Sequence, residues 1–155
     1  MKTFSGLQEF SEALGTHLGY SDWRTITQEQ VDLFADATDD HQWIHTDTEQ
    51  AHSGPFGGPI AHGYLTLSLI PAFMREIYQI EGLAMGINYG SDKVRFPGLV
   101  PVGSRVRAGA KLTAFDQTPQ GARTVLEITV EVEGAEKPAC VAEILSLLRP
   151  REEGK

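Results

Sequence analysis

Residues 64–77 constrain this chain more than any other stretch, because Leu65, Leu67, Leu69, Ile70, Phe73, Met74 and Ile77 make it apolar nearly all the way round when wound as a helix. Such a helix belongs at the centre of a fold, with the rest of the chain covering it. Pro71 lacks an amide donor and its ring crowds the preceding turn, so the helix is expected to kink there or to end its first half. The apolar run 65–73 is too short to span a bilayer, which favours a buried core helix and leaves no role for a membrane.

The cover for that helix comes from strands. Leu126, Ile128, Val130 and Val132 alternate with Glu127, Thr129 and Glu131, the pattern of a strand with one wet face. Further strands are expected at 86–88, 92–96, 104–115 and 139–148, with hairpin signals at Pro97-Gly98 and at 117–121. The first part of the chain has the helical period instead. Phe4, Leu7, Phe10 and Leu14 recur at spacings of three and four before Gly15, which predicts a short amphipathic helix. Residues 20–26 look extended. Thr27 with Gln30 forms a capping box ahead of a helix over 28–37, and Thr46 with Glu49 forms another ahead of a short helix over 47–52. Helices come first and strands later, without regular alternation. The expected class is therefore α+β, an antiparallel β-sheet wrapped around a long central helix.

At 155 residues the chain suits one domain, expected over 1–150, with fraying from Arg149 and a charged flexible tail at 151–155. Its 13 basic and 21 acidic residues give a formal net charge of -8, which argues against nucleic acid or an anionic membrane surface as a partner. Any anionic ligand needs a local basic patch. Cys140 is the single cysteine, so no intrachain disulfide forms, and its apolar setting predicts a buried structural thiol. The opening residues lack the apolar core of a secretory peptide, so a cytoplasmic location is expected.

Most of the candidate chemistry is gathered in 40–63. Asp40 and His45 are a carboxylate and an imidazole that meet only if the backbone between them turns. Asp39 and Asp40 also follow a helix C-terminus, where acidic groups oppose the dipole and need another source of stabilisation. A local conflict of that kind is expected at functional sites. Downstream, Gly54, Gly57 and Gly58 with Pro55 and Pro59 make an irregular loop that delivers the chain to His62 and Gly63 at the start of the central helix.

Other site chemistries fit less well. His41, His45, His52 and His62 lack the His-x-x-x-His spacing of a zinc enzyme, so no metal is expected. The glycine-rich loop does not end in Lys-Ser/Thr, which disfavours a phosphate loop, and neither Ser53 nor Ser68 lies in a nucleophile elbow. A two-residue acid/base device remains. Asp40 and His45 can hold a water between them, while the Gly63 amide at the helix N-terminus can donate to a thioester carbonyl and stabilise enolate-like charge.

The string Phe34-Ala35-Asp36-Ala37-Thr38-Asp39-Asp40-His41-Gln42-Trp43-Ile44-His45, with Ala51 beyond it, resembles the hydratase motif of the MaoC-like (R)-specific enoyl-CoA hydratases, in the variant typical of nodulation protein N-like members. Residues 56–63 and 94–103 resemble further segments of that family. The resemblance implies a hot-dog fold, with Asp40 and His45 as the catalytic pair and Gly63 as the oxyanion amide. Asp39 stands where glycine is usual, and Gln42-Trp43 replace the usual Asn-Pro. Gln42, Trp43 and His62 are the expected substrate contacts near the site mouth.

A coenzyme A thioester substrate, or one on acyl carrier protein, is further implied, with coenzyme A as part of the substrate and no separate cofactor. Lys93 with Arg95, and Arg105 with Arg107, are placed on shared strand faces by alternation and are the candidate phosphate contacts. The resemblance also implies a homodimer. The implied reaction is reversible hydration of a trans-2-enoyl thioester to the (R)-3-hydroxyacyl product. A hot-dog thioesterase and a non-catalytic acyl-thioester-binding protein are the alternatives.

Overall fold

The computed structural model of the chain describes residues 1–152. Its first part comprises β1 (Lys2–Phe4), α1 (Leu7–Glu12), β2 (His17–Tyr20), β3 (Arg24–Thr25), α2 (Gln28–Thr38), α3 (Trp43–Thr46) and α4 (Thr48–His52). Then follow α5 (Gly63–Ser68), α6 (Ile70–Ile77), β4 (Tyr78–Ile80), β5 (Leu83–Arg95), β6 (Arg105–Thr118), β7 (Gly121–Val132) and β8 (Cys140–Pro150). The main sheet is antiparallel in the order β2-β6-β7-β8-β5, with β3 also paired to β6. A separate parallel pair joins β1 to β4.

The period-two pattern sets the sheet's inner face. Along β7, Ala122, Thr124, Leu126, Ile128, Val130 and Val132 are buried, while Arg123 and Glu127 are exposed. The inner face packs on the central helix, whose Leu65, Ile70, Phe73, Met74 and Ile77 belong to the same core as Ala108, Ala110 and Leu112 of β6. Thr118 pairs with Gly121 across the β6–β7 hairpin, as the turn residues predict. Around Pro97-Gly98 the sequence predicts a hairpin that does not form. The Gly98 amide instead donates to the Pro138 carbonyl, because the strand that pairs with β5 is β8. The strands expected at 86–88 and 92–96 are one continuous β5, whose register shifts at three places along β8.

The central helix comes in two pieces. Leu69 closes α5 and opens α6, so that Pro71 lies in the first turn of α6, where an amide has no intrahelical acceptor to lose. Burial is one-sided: Tyr64, Ser68 and Arg75 are exposed, with Tyr64 at 68%. The expected all-round burial is therefore incomplete within one chain.

At the N-terminus the helical period overreaches. Phe4 belongs to β1 and Leu14 is exposed, because pairing with β4 draws Phe4 into a cluster with Phe10 and Tyr78. Thr27 caps α2 as predicted, accepting from the Gln30 amide at 3.2 Å. The cap of α4 is Asp47, which accepts from the Gln50 amide at 2.9 Å; the Thr46 hydroxyl donates back to the His41 carbonyl instead. Strand β8 runs through Pro150 and the Arg151 amide donates to the Gly82 carbonyl, so the expected fraying from Arg149 does not begin there. Of the expected 151–155 tail, residues 153–155 lie outside the described residues. Cys140 is buried, and burial pushes its thiol up to about 11. Among the described residues no helix is long and apolar enough to cross a membrane.

Candidate acid/base site

Helix α2 ends on Asp39 in the left-handed conformation, with φ of 59° and ψ of 28°. This is the conformation that glycine usually supplies at a helix end, and an aspartate is among the few side chains that tolerate it. Asp39, one of the two acids that oppose the dipole, gains a histidine partner at once. His41 bonds Asp36 Oδ1 through Nε2 at 2.9 Å and lies 3.4 Å from Asp39 Oδ1 through Nδ1. The bond to Asp36 raises the His41 pKa, and the charges of Asp36 and Asp39 add to the effect.

The turn then carries Asp40 and His45 to one place, His45 from within the single turn of α3. Donor atoms of Asp40, His45 and His62 all lie within 4.8 Å of one another. Asp40 is exposed, whereas His45 and His62 are 7% and 2% exposed. The His45 Nδ1–H donates to the Ile60 carbonyl at 2.6 Å, which leaves Nε2 of the neutral ring as a bare acceptor. Burial lowers the His45 pKa; the Ile60 bond and the Asp40 charge act against that, and His62 acts with it. A neutral His45 next to an exposed carboxylate is suited to handling protons from a water.

His62 occupies a distinctive place. Its Nε2–H donates to the backbone carbonyl of Asp40 at 3.0 Å, and its ring stacks on His45 with centroids 3.9 Å apart and planes 26° from parallel. Phe34 of α2 touches the same ring, with centroids 4.9 Å apart. Because imidazole lone pairs lie in the ring planes, two stacked rings do not direct theirs at one common point. The trio therefore forms a proton-handling cluster more readily than a metal cage.

His62 is also the N-cap of α5, its carbonyl accepting from the Leu65 and Thr66 amides at 3.1 and 3.2 Å. The Gly63 amide lies in the first turn, without an intrahelical acceptor. The space beside its Cα is not open, however. A Cβ added at Gly63 would stand 3.0 Å from the Phe96 ring, so the glycine admits an aromatic neighbour from the end of β5.

The remaining expected site residues are distributed as follows. Gln42 is exposed; its side chain does not cap α3, and its carbonyl accepts from the His45 amide. Trp43 is half-buried and packs on Gly54, where an added Cβ would stand 2.9 Å from the indole. Its bulk is thus taken up by the loop. Lys93 has φ of 51°, within a stretch where β5 shifts register, so simple alternation with Arg95 does not hold there. Its Nζ lies 3.2 Å from Glu143. Arg105 is held by Glu133 and Arg107 by Glu131, the latter stacked on Tyr20 and Trp23. Arg95 bonds its neighbour's carbonyl, from Val94, and forms no ion pair among the described residues. Sequence reasoning missed the Ile60 carbonyl, Phe34 and Phe96. A backbone acceptor leaves no mark in a sequence, and the two aromatics carry no spacing signal toward a site.

Comparisons with known proteins bear on the family and the fold. The family described as MaoC like domain matches residues 9–134. The 3-hydroxyacyl-thioester dehydratase Z of Mycobacterium tuberculosis (strain ATCC 25618 / H37Rv) is 54% identical over 144 residues, covering 92% of this chain and 95% of that protein. Nodulation protein N of Rhizobium leguminosarum bv. viciae is 43% identical over 148 residues, covering 92% and 91%. Among solved structures, the unliganded R-hydratase PhaJ1 from Pseudomonas aeruginosa superposes with a TM-score of 0.71 at 24% identity, covering 90% of this chain and 83% of that one. That likeness shows the hot-dog fold, in which a sheet wraps a central helix. With the fold, the matched segment and near full-length relatives in agreement, the chain belongs to the MaoC-like dehydratase family.

Proposed function

We propose that the protein hydrates trans-2-enoyl thioesters, with coenzyme A as the expected carrier, to (R)-3-hydroxyacyl thioesters, and runs the reverse dehydration. The observation that carries this reading is the pairing of the exposed Asp40 carboxylate with a buried His45 whose Nδ1–H is committed to Ile60 at 2.6 Å. A water held between Asp40 and His45 Nε2 donates both protons to these acceptors and keeps its oxygen lone pairs free to attack. Asp40, as general base, takes one proton as the water oxygen adds to C3, while His45 orients the second O–H. The thioester carbonyl gains enolate character and receives the Gly63 amide at the helix N-terminus. Return of the proton to C2 completes a syn addition in which water is the only reactant besides the thioester.

The acyl tail is assigned to a cleft of about 360 Å³ between Leu67, Ser68, Ile70 and Pro71 of the helix and Asn88 and Ser91 of β5. Arg95 is the candidate for a carrier phosphate, since Lys93 and Arg105 already face Glu143 and Glu133. A homodimer is proposed through β5, which pairs with β8 on one side and exposes Met85, Ile87 and Tyr89 at 54%, 41% and 58%. The cytoplasm is the proposed compartment.

The test is loss of enoyl-thioester absorbance on incubation with short and long trans-2-enoyl-CoA. Hydration bleaches the conjugated chromophore and frees no thiol, whereas a thioesterase releases one. Asp40→Asn should lower kcat by about 10²–10⁴-fold while circular dichroism is unchanged. Wild-type turnover by that variant, or thiol release matching the absorbance change, would overturn the reading.

A further inference from the structure

We infer that His62 is the positioning residue of this site: its imidazole fixes the backbone of Asp40 and the ring plane of His45, directly ahead of the helix that carries the Gly63 amide. This rests on the hydratase reading above. It also places His62 behind the reacting atoms, not in contact with the thioester.

Two contacts of this side chain and one of its backbone meet at residue 62. Its Nε2–H donates to the Asp40 carbonyl across 22 positions of sequence, fastening the turn after α2 to the mouth of α5. Its ring lies on that of His45, which is itself held from the other side of the loop by the Ile60 carbonyl. Its own carbonyl closes the first turn of α5, so the Gly63 amide is its immediate neighbour in the chain. Asp40 and His45 are thereby tied to one buried ring, and the Gly63 amide follows that residue directly in the chain. Among the described residues, this is the hydrogen bond that joins Asp40 to the segment entering α5.

The ring is placed at a cost that a mere packing residue would avoid. At 2% exposure, His62 Nδ1 is buried without a hydrogen-bond partner. A buried acceptor left unpaired is unfavourable, and an apolar side chain of similar shape would remove that penalty. The benefit of an imidazole there is the donor to Asp40 combined with a flat face for His45. Placement errors near 1 Å cost on the order of 10²-fold in rate, so a group that aligns both members of the pair affects turnover more than affinity.

The experiment uses the full-length protein with His62→Phe, which keeps a flat ring but loses the donor, and His62→Gln, which keeps an amide N–H donor. His62→Phe should lower kcat by about 10- to 100-fold with KM within about threefold, and His62→Gln should recover a substantial part of the loss. Ring-nitrogen NMR supplies a readout that folding alone would not move. The His45 titration should shift in His62→Phe, since His62 and Asp40 are the titratable groups around that ring. Wild-type kcat in His62→Phe, or a folded His62→Phe with an unmoved His45 titration, would overturn the inference. So would a loss of kcat that His62→Gln fails to recover although it folds. If the wild-type protein turns over no enoyl thioester, the functional reading fails, and the His45 titration still decides the positioning role.

Discussion

His45 is buried beside Asp40 and His62, and its protonation is set mainly by burial, which holds its pKa below the ordinary 6.5. The consequence for activity has a definite sign. Nε2 serves as an acceptor only while the ring is neutral, so kcat/KM should stay level as pH falls through 6.5 and drop only at a more acid value, where the folded ring takes up its proton. A pH profile of kcat/KM checks this, and an acidic limb at or above 6.5 contradicts it. Stability follows the same linkage: the contribution of the neutral ring is present above its unfolded pKa and is lost as pH falls through the folded one. At this scale the sequence was informative about identity. Asp40, His45, His62 and Gly63 were all legible as candidates; the structure brings the side chains of the first three together, and Gly63 follows His62 in the chain. The direction of the His45 ring was not legible, because the Ile60 carbonyl that sets it is backbone. Of the departures from the usual motif, Trp43 resolves physically, because the indole has its own seat on Gly54, while the Gln42 side chain is exposed.

At the scale of elements, the β6–β7 hairpin and its contact with β8 depend on one glycine. Gly121 has φ of 144°, and a Cβ there would stand 1.9 Å from the Leu148 carbonyl oxygen, which is backbone in the neighbouring strand. Gly121→Ala should therefore destabilise the fold by at least about 3 kcal/mol, since neither strand can withdraw without losing register. Urea denaturation followed by circular dichroism measures this, and a loss below about 1 kcal/mol would contradict the geometry. The alternation in β7 and the N-cap of α2 were legible because each is a local rule acting over a few residues. The hairpin expected at Pro97-Gly98 was not formed, because local turn chemistry names a bend and not the strand that follows it. The break in the central helix was legible in Pro71, and its position at Leu69 follows from that proline's tolerance of a first-turn site.

At the scale of the molecule, an exposed Tyr64 on a central helix and an unpaired β5 edge leave apolar surface that one chain does not cover. If a second copy covers it, Tyr89→Lys should lower the mass measured by light scattering from two chains to one, with the far-ultraviolet spectrum retained; an unchanged mass would count against the β5 interface. Sequence alone determined the class, the order of helices before strands, and which residues are candidates for acid/base work, because periodicity and residue chemistry act locally. Tertiary structure decided which side of the central helix stays open, that Glu143 and Glu133 occupy Lys93 and Arg105, and that His62 stands behind His45. Those outcomes depend on residues distant in the chain arriving at one place, which the shape of the packed core determines and no local pattern encodes.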